Sequence, residues 1–209
     1  VGVVRFDVPA SSPNIVESKS VKLYFTALNG TRFARATDYA ATLARDLSAA
    51  TAADVRVQLI EPRDYAMLAR VEAEGQCIDE LPLRAHHAEP LASQLATAAG
   101  GARVAETLTT RLFRSVCPVT GQPDYATVQI AYRGARIDRQ ALLAYLVAYR
   151  RHPGFHEHCV ERIFVDVRAA CAPEALGVVA RFTRRGGIDI NPWRRMGDVT
   201  VTDRATIVQ

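Results

Sequence analysis

The same order of elements, strand, helix, helix, strand, is written twice into this chain, and that pseudo-repeat constrains the fold more than any other feature of the sequence. Alternation of apolar and polar residues marks strands at Val4–Val8, Val55–Leu59, Val128–Tyr132 and Leu176–Phe182. One buried face per strand is what antiparallel sheets require. Helical spacing runs through Val21, Tyr24, Phe25 and Leu28, then through Tyr39, Leu43 and Leu47. It returns in Leu142, Tyr145, Leu146 and Tyr149, and again in Val160, Ile163, Phe164 and Val167. These stripes are core. Asp138 is the expected N-cap of the third helix, and Pro153-Gly154 breaks it from the fourth. The expected class is α+β, two antiparallel sheets each carrying a helix pair. The first copy, residues 1–61, opens on what reads as a second strand, so its first strand is expected to be missing. Residues 62–105 hold Gly75, Pro82, Pro90, Gly100-Gly101 and an alanine-rich run, and read as a connector with a weak strand or helix. Residues 106–209 form the second copy.

Composition narrows the setting. No apolar run approaches the roughly 18 to 20 residues of a membrane-spanning helix, and the N-terminus has no basic flank followed by an apolar stretch. Four cysteines without a CxxC pair are too few for a disulfide scaffold in 209 residues, so reduced thiols and a cytoplasmic setting are expected. A net charge of +4 with no long run of one sign is no nucleic-acid footprint. Of the 26 basic residues only Lys19 and Lys22 are lysine, which suggests a local need for a compact ammonium group.

Three stretches can carry chemistry. Cys117 stands at a strand end in a loop shaped by Pro118, Gly121 and Pro123, with Asp124 seven residues on. A thiol so placed is either a nucleophile with a proton donor beside it or a half-buried cysteine next to a turn aspartate. His156-Glu157 opens the fourth helix; Glu157 is either a helix-end carboxylate or an acceptor for two N–H groups of a guanine-like edge, with His156 shuttling a proton. His156 and Cys159 resemble half of a metal site, but no second pair stands at ligand spacing, so no metal is expected. Lys19 and Lys22 lie one turn apart near a helix start, which is either a solvated face or a phosphate site. Arg184-Arg185-Gly186-Gly187 joins positive charge to a backbone that an anion can approach closely, without a GxGxxG fingerprint.

Together, Asn14–Tyr24 (NIVESKSVKLY), Cys117–Asp124 (CPVTGQPD), Phe155–Phe164 (FHEHCVERIF) and Arg184–Arg194 (RRGGIDINPWR) resemble the NADPH-dependent 7-cyano-7-deazaguanine reductases, the QueF-type nitrile reductases of queuosine biosynthesis, in their long two-module form. The resemblance implies tandem tunnelling-fold modules that pair into larger sheets, hence a homodimer. It implies a covalent thioimide between Cys117 and the nitrile carbon, then reduction to the aminomethyl product by two NADPH molecules in succession. Asp124 matches the proton donor and His156 the group assisting proton transfer. Glu17 and Glu157 match the carboxylates that hold the deazaguanine, with Val16, Ser18 and His156 lining the site. Ser18, Lys19, Arg185 and Gly186 match the NADPH contacts. The other three cysteines are expected to be structural. The resemblance further implies a small-molecule deazapurine substrate, with neither nucleic acid nor membrane as a direct partner.

An ordinary thiol with a pKa of about 8.5 is mostly protonated at neutral pH, so Cys117 needs a base, Asp124 or His156, to become the attacking thiolate. An amidinotransferase-like relative would use the same thioimide but hand the group to an amine on tRNA, without NADPH. A cyclohydrolase-like hydrolase and an inactive purine-binding module are the remaining readings; the lysines and the RRGG stretch favour the reductase.

Overall fold

The computed structural model describes residues 2–83, 88–201 and 204–207. They fall into two compact units, one of residues 1–69 with Arg185–Ile188, the other of residues 70–184 with 189–209.

In the first unit β1 (Val3–Asp7) pairs antiparallel with β2 (Arg56–Ile60), from Val3 opposite Ile60 to Asp7 opposite Arg56. The helix pair expected between them is α1 (Ser18–Leu28) and α2 (Ala36–Thr51). Val21, Leu43, Leu47, Val55 and Ile60 are buried, and Phe25 meets Phe6 edge-on at 6.2 Å. The Tyr24 hydroxyl donates to Asp46 at 2.7 Å and ties the helices together. Helix α2 stops because Ala52 turns left-handed and returns its N–H to the Ser48 carbonyl. Ser48 Oγ then accepts the Val55 N–H at 2.9 Å, which aims the chain into β2.

The second unit is a five-stranded sheet in the order β3-β4-β5-β6-β7: β3 (Gln76–Cys77), β4 (Arg103–Val116), β5 (Pro123–Ala135), β6 (Ala175–Phe182) and β7 (Trp193–Met196). Every pairing is antiparallel except β3 with β4. Helices α3 (Arg139–Ala148) and α4 (His156–Cys171) connect β5 to β6. Their apolar stripes, with Leu142, Tyr145, Val160, Ile163 and Val167, share one core with Leu108, Phe113, Val128, Ile130, Leu176, Val178 and Phe182 of the sheet. Asp138 caps α3 as expected, accepting the N–H groups of Gln140 and Ala141.

The edge strand β7 was not expected, and β3 was expected only as a weak strand or helix somewhere in the connector. Two residues are too few to show a period, and Trp-Arg-Arg-Met has no apolar alternation; pairing with their neighbours makes them strands. Of residues 62–105, Pro62–Leu68 and Ala92–Gln94 are 3₁₀ turns, while Ile78 and Leu95 are buried in the core of the second unit. A register shift in β4 between Thr110 and Phe113 is held by Asp79, whose carboxylate accepts from Thr110 Oγ1 at 2.6 Å and from the Arg111 N–H at 3.1 Å. Among the described residues no helix is long and apolar enough to cross a membrane.

Candidate active site

In the second unit the β4–β5 hairpin sets the position of Cys117. Its N–H donates to the Gln122 carbonyl and its carbonyl accepts the Gly121 N–H, both at 2.9 Å, so both backbone polar groups are engaged. Gly121 has φ +69°, a conformation that an L residue adopts only with strain. Val116 pairs with Pro123, and Ser115 with Asp124. Directly opposed residues share a sheet face, so Asp124 stands beside Ser115 and diagonal to the end of β4, from which Cys117 continues.

Helix α4 is strapped to the same strand end. The Val116 N–H donates to the His152 carbonyl, and the Gly154 N–H to the Val116 carbonyl, each at 3.0 Å. Two residues later α4 begins with His156. Its imidazole Nε2 lies 3.7 Å from Asp124 Oδ1, and its ring packs edge-on against Phe182 with centroids 4.1 Å apart. Asp124 is 2% exposed and His156 9%. A carboxylate and an imidazole are thus held close in a nearly buried place, in the hairpin whose turn carries the half-buried Cys117.

Glu157 is half-buried in the first turn of α4. Burial pushes its carboxyl above the ordinary carboxylate range, opposed by its own backbone N–H and by His158. The folded chain therefore binds the Glu157 proton more tightly than the unfolded chain. Stability falls as pH rises from the ordinary value of 4.5 through the raised one, where the folded state must give that proton up. Melting curves across that window should show wild type losing stability that Glu157→Gln keeps, with the two alike below it.

The cysteines divide by place. Cys159 and Cys171 are buried, and Cys77 is exposed on the short strand β3. Burial pushes the Cys159 thiol up to about 11, the charges of Asp124 and Glu157 push the same way, and the Ser115 hydroxyl opposes them. Among the described residues no three His, Cys, Asp or Glu side chains are placed to hold a metal ion.

The first unit carries the second candidate cluster. Glu17 caps α1: one carboxylate oxygen accepts the Lys19 N–H at 2.9 Å, the other the Ser20 N–H at 2.8 Å and Ser20 Oγ at 3.1 Å. Burial raises its pKa, but these hydrogen bonds and the Lys19 charge prevail and hold the carboxyl below its ordinary value. Val16 and Ser18 flank it, both half-buried, and Lys19 is exposed. Arg185 and Ile188 exchange two backbone hydrogen bonds of 3.1 Å around Gly186 (φ +60°) and Gly187 (φ +88°), the positive-φ pair of a two-residue hairpin turn. A Cβ on Gly186 would lie 3.1 Å from both Cδ and Nζ of Lys22. The glycine turn thus has an ammonium folded against it, with further cationic side chains at Lys19 and Arg185 in the same unit.

The structure thus brings Cys117, Asp124, His156 and Glu157 into one unit, and Val16, Glu17, Ser18, Lys19, Arg185 and Gly186 into the other. Lys22 was read in the sequence with Lys19 as a solvated face or a phosphate site, and its packing on Gly186 needs the fold; Ser115 was not singled out. Ser115 left one signal, a polar residue at an inward strand position two residues after Phe113.

The family profile described as QueF-like protein matches residues 123–200, and that described as Nitrile reductase, 7-cyano-7-deazaguanine-reductase N-term matches residues 1–59. The NADPH-dependent 7-cyano-7-deazaguanine reductase of Chromobacterium violaceum is 51% identical over 203 residues, 97% of this chain and 72% of that protein. The protein of the same name from Bordetella pertussis is 53% identical over 194 residues, 93% of this chain and 71% of that one. A crystal structure of an archaeosine synthase, QueF-Like, in the apo form aligns with 47% of this chain and 96% of its own, at TM-score 0.41 and 21% identity. Half of all positions shared over nearly the whole chain, with family profiles matching at both ends, show that it belongs to the family of NADPH-dependent 7-cyano-7-deazaguanine reductases.

Proposed function

We propose that this chain reduces the nitrile of 7-cyano-7-deazaguanine to the aminomethyl group, with Cys117 as covalent nucleophile. The observation that carries the reading is the buried Asp124–His156 pair set beside the Cys117 hairpin, in a chain half identical to reductases of that name. Asp124, or His156 through it, takes the thiol proton of Cys117. Sulfur then bonds to the nitrile carbon as one C–N π bond opens, and the same proton goes to the nitrile nitrogen. The product of that step is a trigonal thioimide, a better hydride acceptor than the linear nitrile. When bound, NADPH supplies hydride. Glu157 accepts paired N–H groups from the deazaguanine edge, Glu17 contributes a second carboxylate, and Val16, Ser18 and His156 line the base. Ser18, Lys19, Arg185 and Gly186 hold the NADPH phosphates, joined by Lys22.

The same reading takes residues 1–61 and 106–209 as two tunnelling-fold modules joined by 62–105. It makes the protein a cytoplasmic homodimer acting on the free base rather than on tRNA. NADPH oxidation that depends on 7-cyano-7-deazaguanine, with formation of the aminomethyl product, tests it; adduct formation with transfer to an amine and no NADPH use would identify the amidinotransferase chemistry instead.

Two expected results follow from the binding assignments. Lys19→Ala and Arg185→Ala should each raise the KM for NADPH by about 10- to 100-fold, the effect of losing one charge-assisted hydrogen bond, while binding of the base is unchanged. Glu157→Gln replaces an acceptor by a donor and sets N–H against N–H, so affinity for the base should fall by a comparable factor. Because the buried carboxylate costs the free protein stability, this variant should melt no earlier than wild type at pH 7. A variant that melts early yet binds the base normally would make Glu157 a helix-end support.

A further inference from the structure

Ser115 is fully buried, and its hydroxyl oxygen is enclosed without a well-formed hydrogen bond among the described residues. Enclosed hydroxyls in folded proteins nearly always have a partner, so one held without it beside a reactive site calls for a role. Ser115 stands directly opposite Asp124 in the β4–β5 register, which puts both side chains on one face of the sheet with Cβ atoms about 4.5–5.5 Å apart. One turn of α4 meets this pair: His156 Nε2 lies 3.7 Å from Asp124, and Cys159, three residues on, feels both the Ser115 hydroxyl and the Asp124 charge. Four polar side chains from three elements therefore share one nearly dry pocket of the fold, with Glu157 and Arg162 as the other charged groups acting on Cys159.

We infer that Ser115 is a positioning residue for Asp124, its hydroxyl donating to the carboxylate while that group holds the charge left by proton transfer to the nitrile nitrogen. The inference rests on the mechanism proposed above. Once Asp124 has passed on its proton, its carboxylate is ionised at a position 2% exposed, where water cannot supply donors. His156 Nε2 lies 3.7 Å from it, and Ser115 stands opposite it across the β4–β5 pairing. A rotation about one side-chain bond turns the hydroxyl from Cys159 toward Asp124. The hydroxyl then holds the ionised carboxylate in place, both when it takes the thiol proton and after it has passed that proton on.

The test is the rate of adduct formation between the full chain and 7-cyano-7-deazaguanine without NADPH, followed by mass spectrometry over a single turnover. It compares wild type, Ser115→Ala, Asp124→Asn and the double variant. Ser115→Ala is expected to slow the step about 10-fold or more while affinity for the base is kept. It should melt close to wild type, because the hydroxyl it removes makes no well-formed hydrogen bond in the free protein. In the Asp124→Asn background the same change should have no further effect, since Ser115 acts through that carboxylate. An unchanged rate in Ser115→Ala, or an equal slowing with and without Asp124, would overturn the inference while leaving the mechanism intact. No adduct on wild type would overturn the mechanism and the inference together.

Discussion

Mixed with 7-cyano-7-deazaguanine and no NADPH, the wild-type chain is expected to gain one adduct of the substrate's mass on Cys117, and Cys117→Ala none. Turnover in Cys117→Ala should fall by on the order of 10⁴-fold or more, the scale of losing a nucleophile that acts as a unit with its proton partners. The base should still bind, because Glu157 and Glu17 contribute to affinity and Cys117 to bond formation. The hairpin should survive the change, since the backbone bonds of Cys117 to Gln122 and Gly121 do not use the side chain. The other cysteines are poor competitors. Cys159 is buried with its thiol raised to about 11, Cys171 likewise, and Cys77 lies on an edge strand beside Arg111 without a proton-transfer partner like the Asp124–His156 pair. An adduct on any of the three, or NADPH oxidation persisting in Cys117→Ala, would end the assignment and leave the fold untouched.

Asp124→Asn is the second large effect expected. The amide keeps the size and polarity of the carboxylate but can neither take the Cys117 proton nor return it. Adduct formation and turnover should fall by about 10² to 10⁴-fold, the usual contribution of general acid–base catalysis, with affinity for the base nearly unchanged. A rate within a factor of two of wild type would shift the proton exchange to another group, with His156 next in line. A loss of substrate affinity as large as the loss of rate would mark Asp124 as a binding residue.

The large elements were legible because their signals are local. Alternation in Val55–Leu59 and Val128–Tyr132, and the stripe of Val160, Ile163, Phe164 and Val167, follow from the periods of strand and helix, which need no knowledge of the rest of the chain. The local setting of the candidate residues was legible for the same reason: Cys117 and Asp124 are separated by a turn whose prolines and glycine close a hairpin, and His156 and Glu157 are neighbours. The edge strands were not, since β3 and β7 are strands only by virtue of pairing with β4 and β6.

What the sequence by itself determined is the α+β plan, the helix pairs and the cap at Asp138; for the chemistry it offered candidate residues. Only the tertiary structure decided that His156 faces Asp124, that Ser115 stands across from it with an unmet hydroxyl, and that Lys22 folds against Gly186. Those are contacts between residues 9 to 164 positions apart, and no local period encodes them. They follow from register, set where strands bury their apolar faces together, and from the backbone strap between Val116 and the His152–Gly154 segment, which fixes where α4 begins over the sheet.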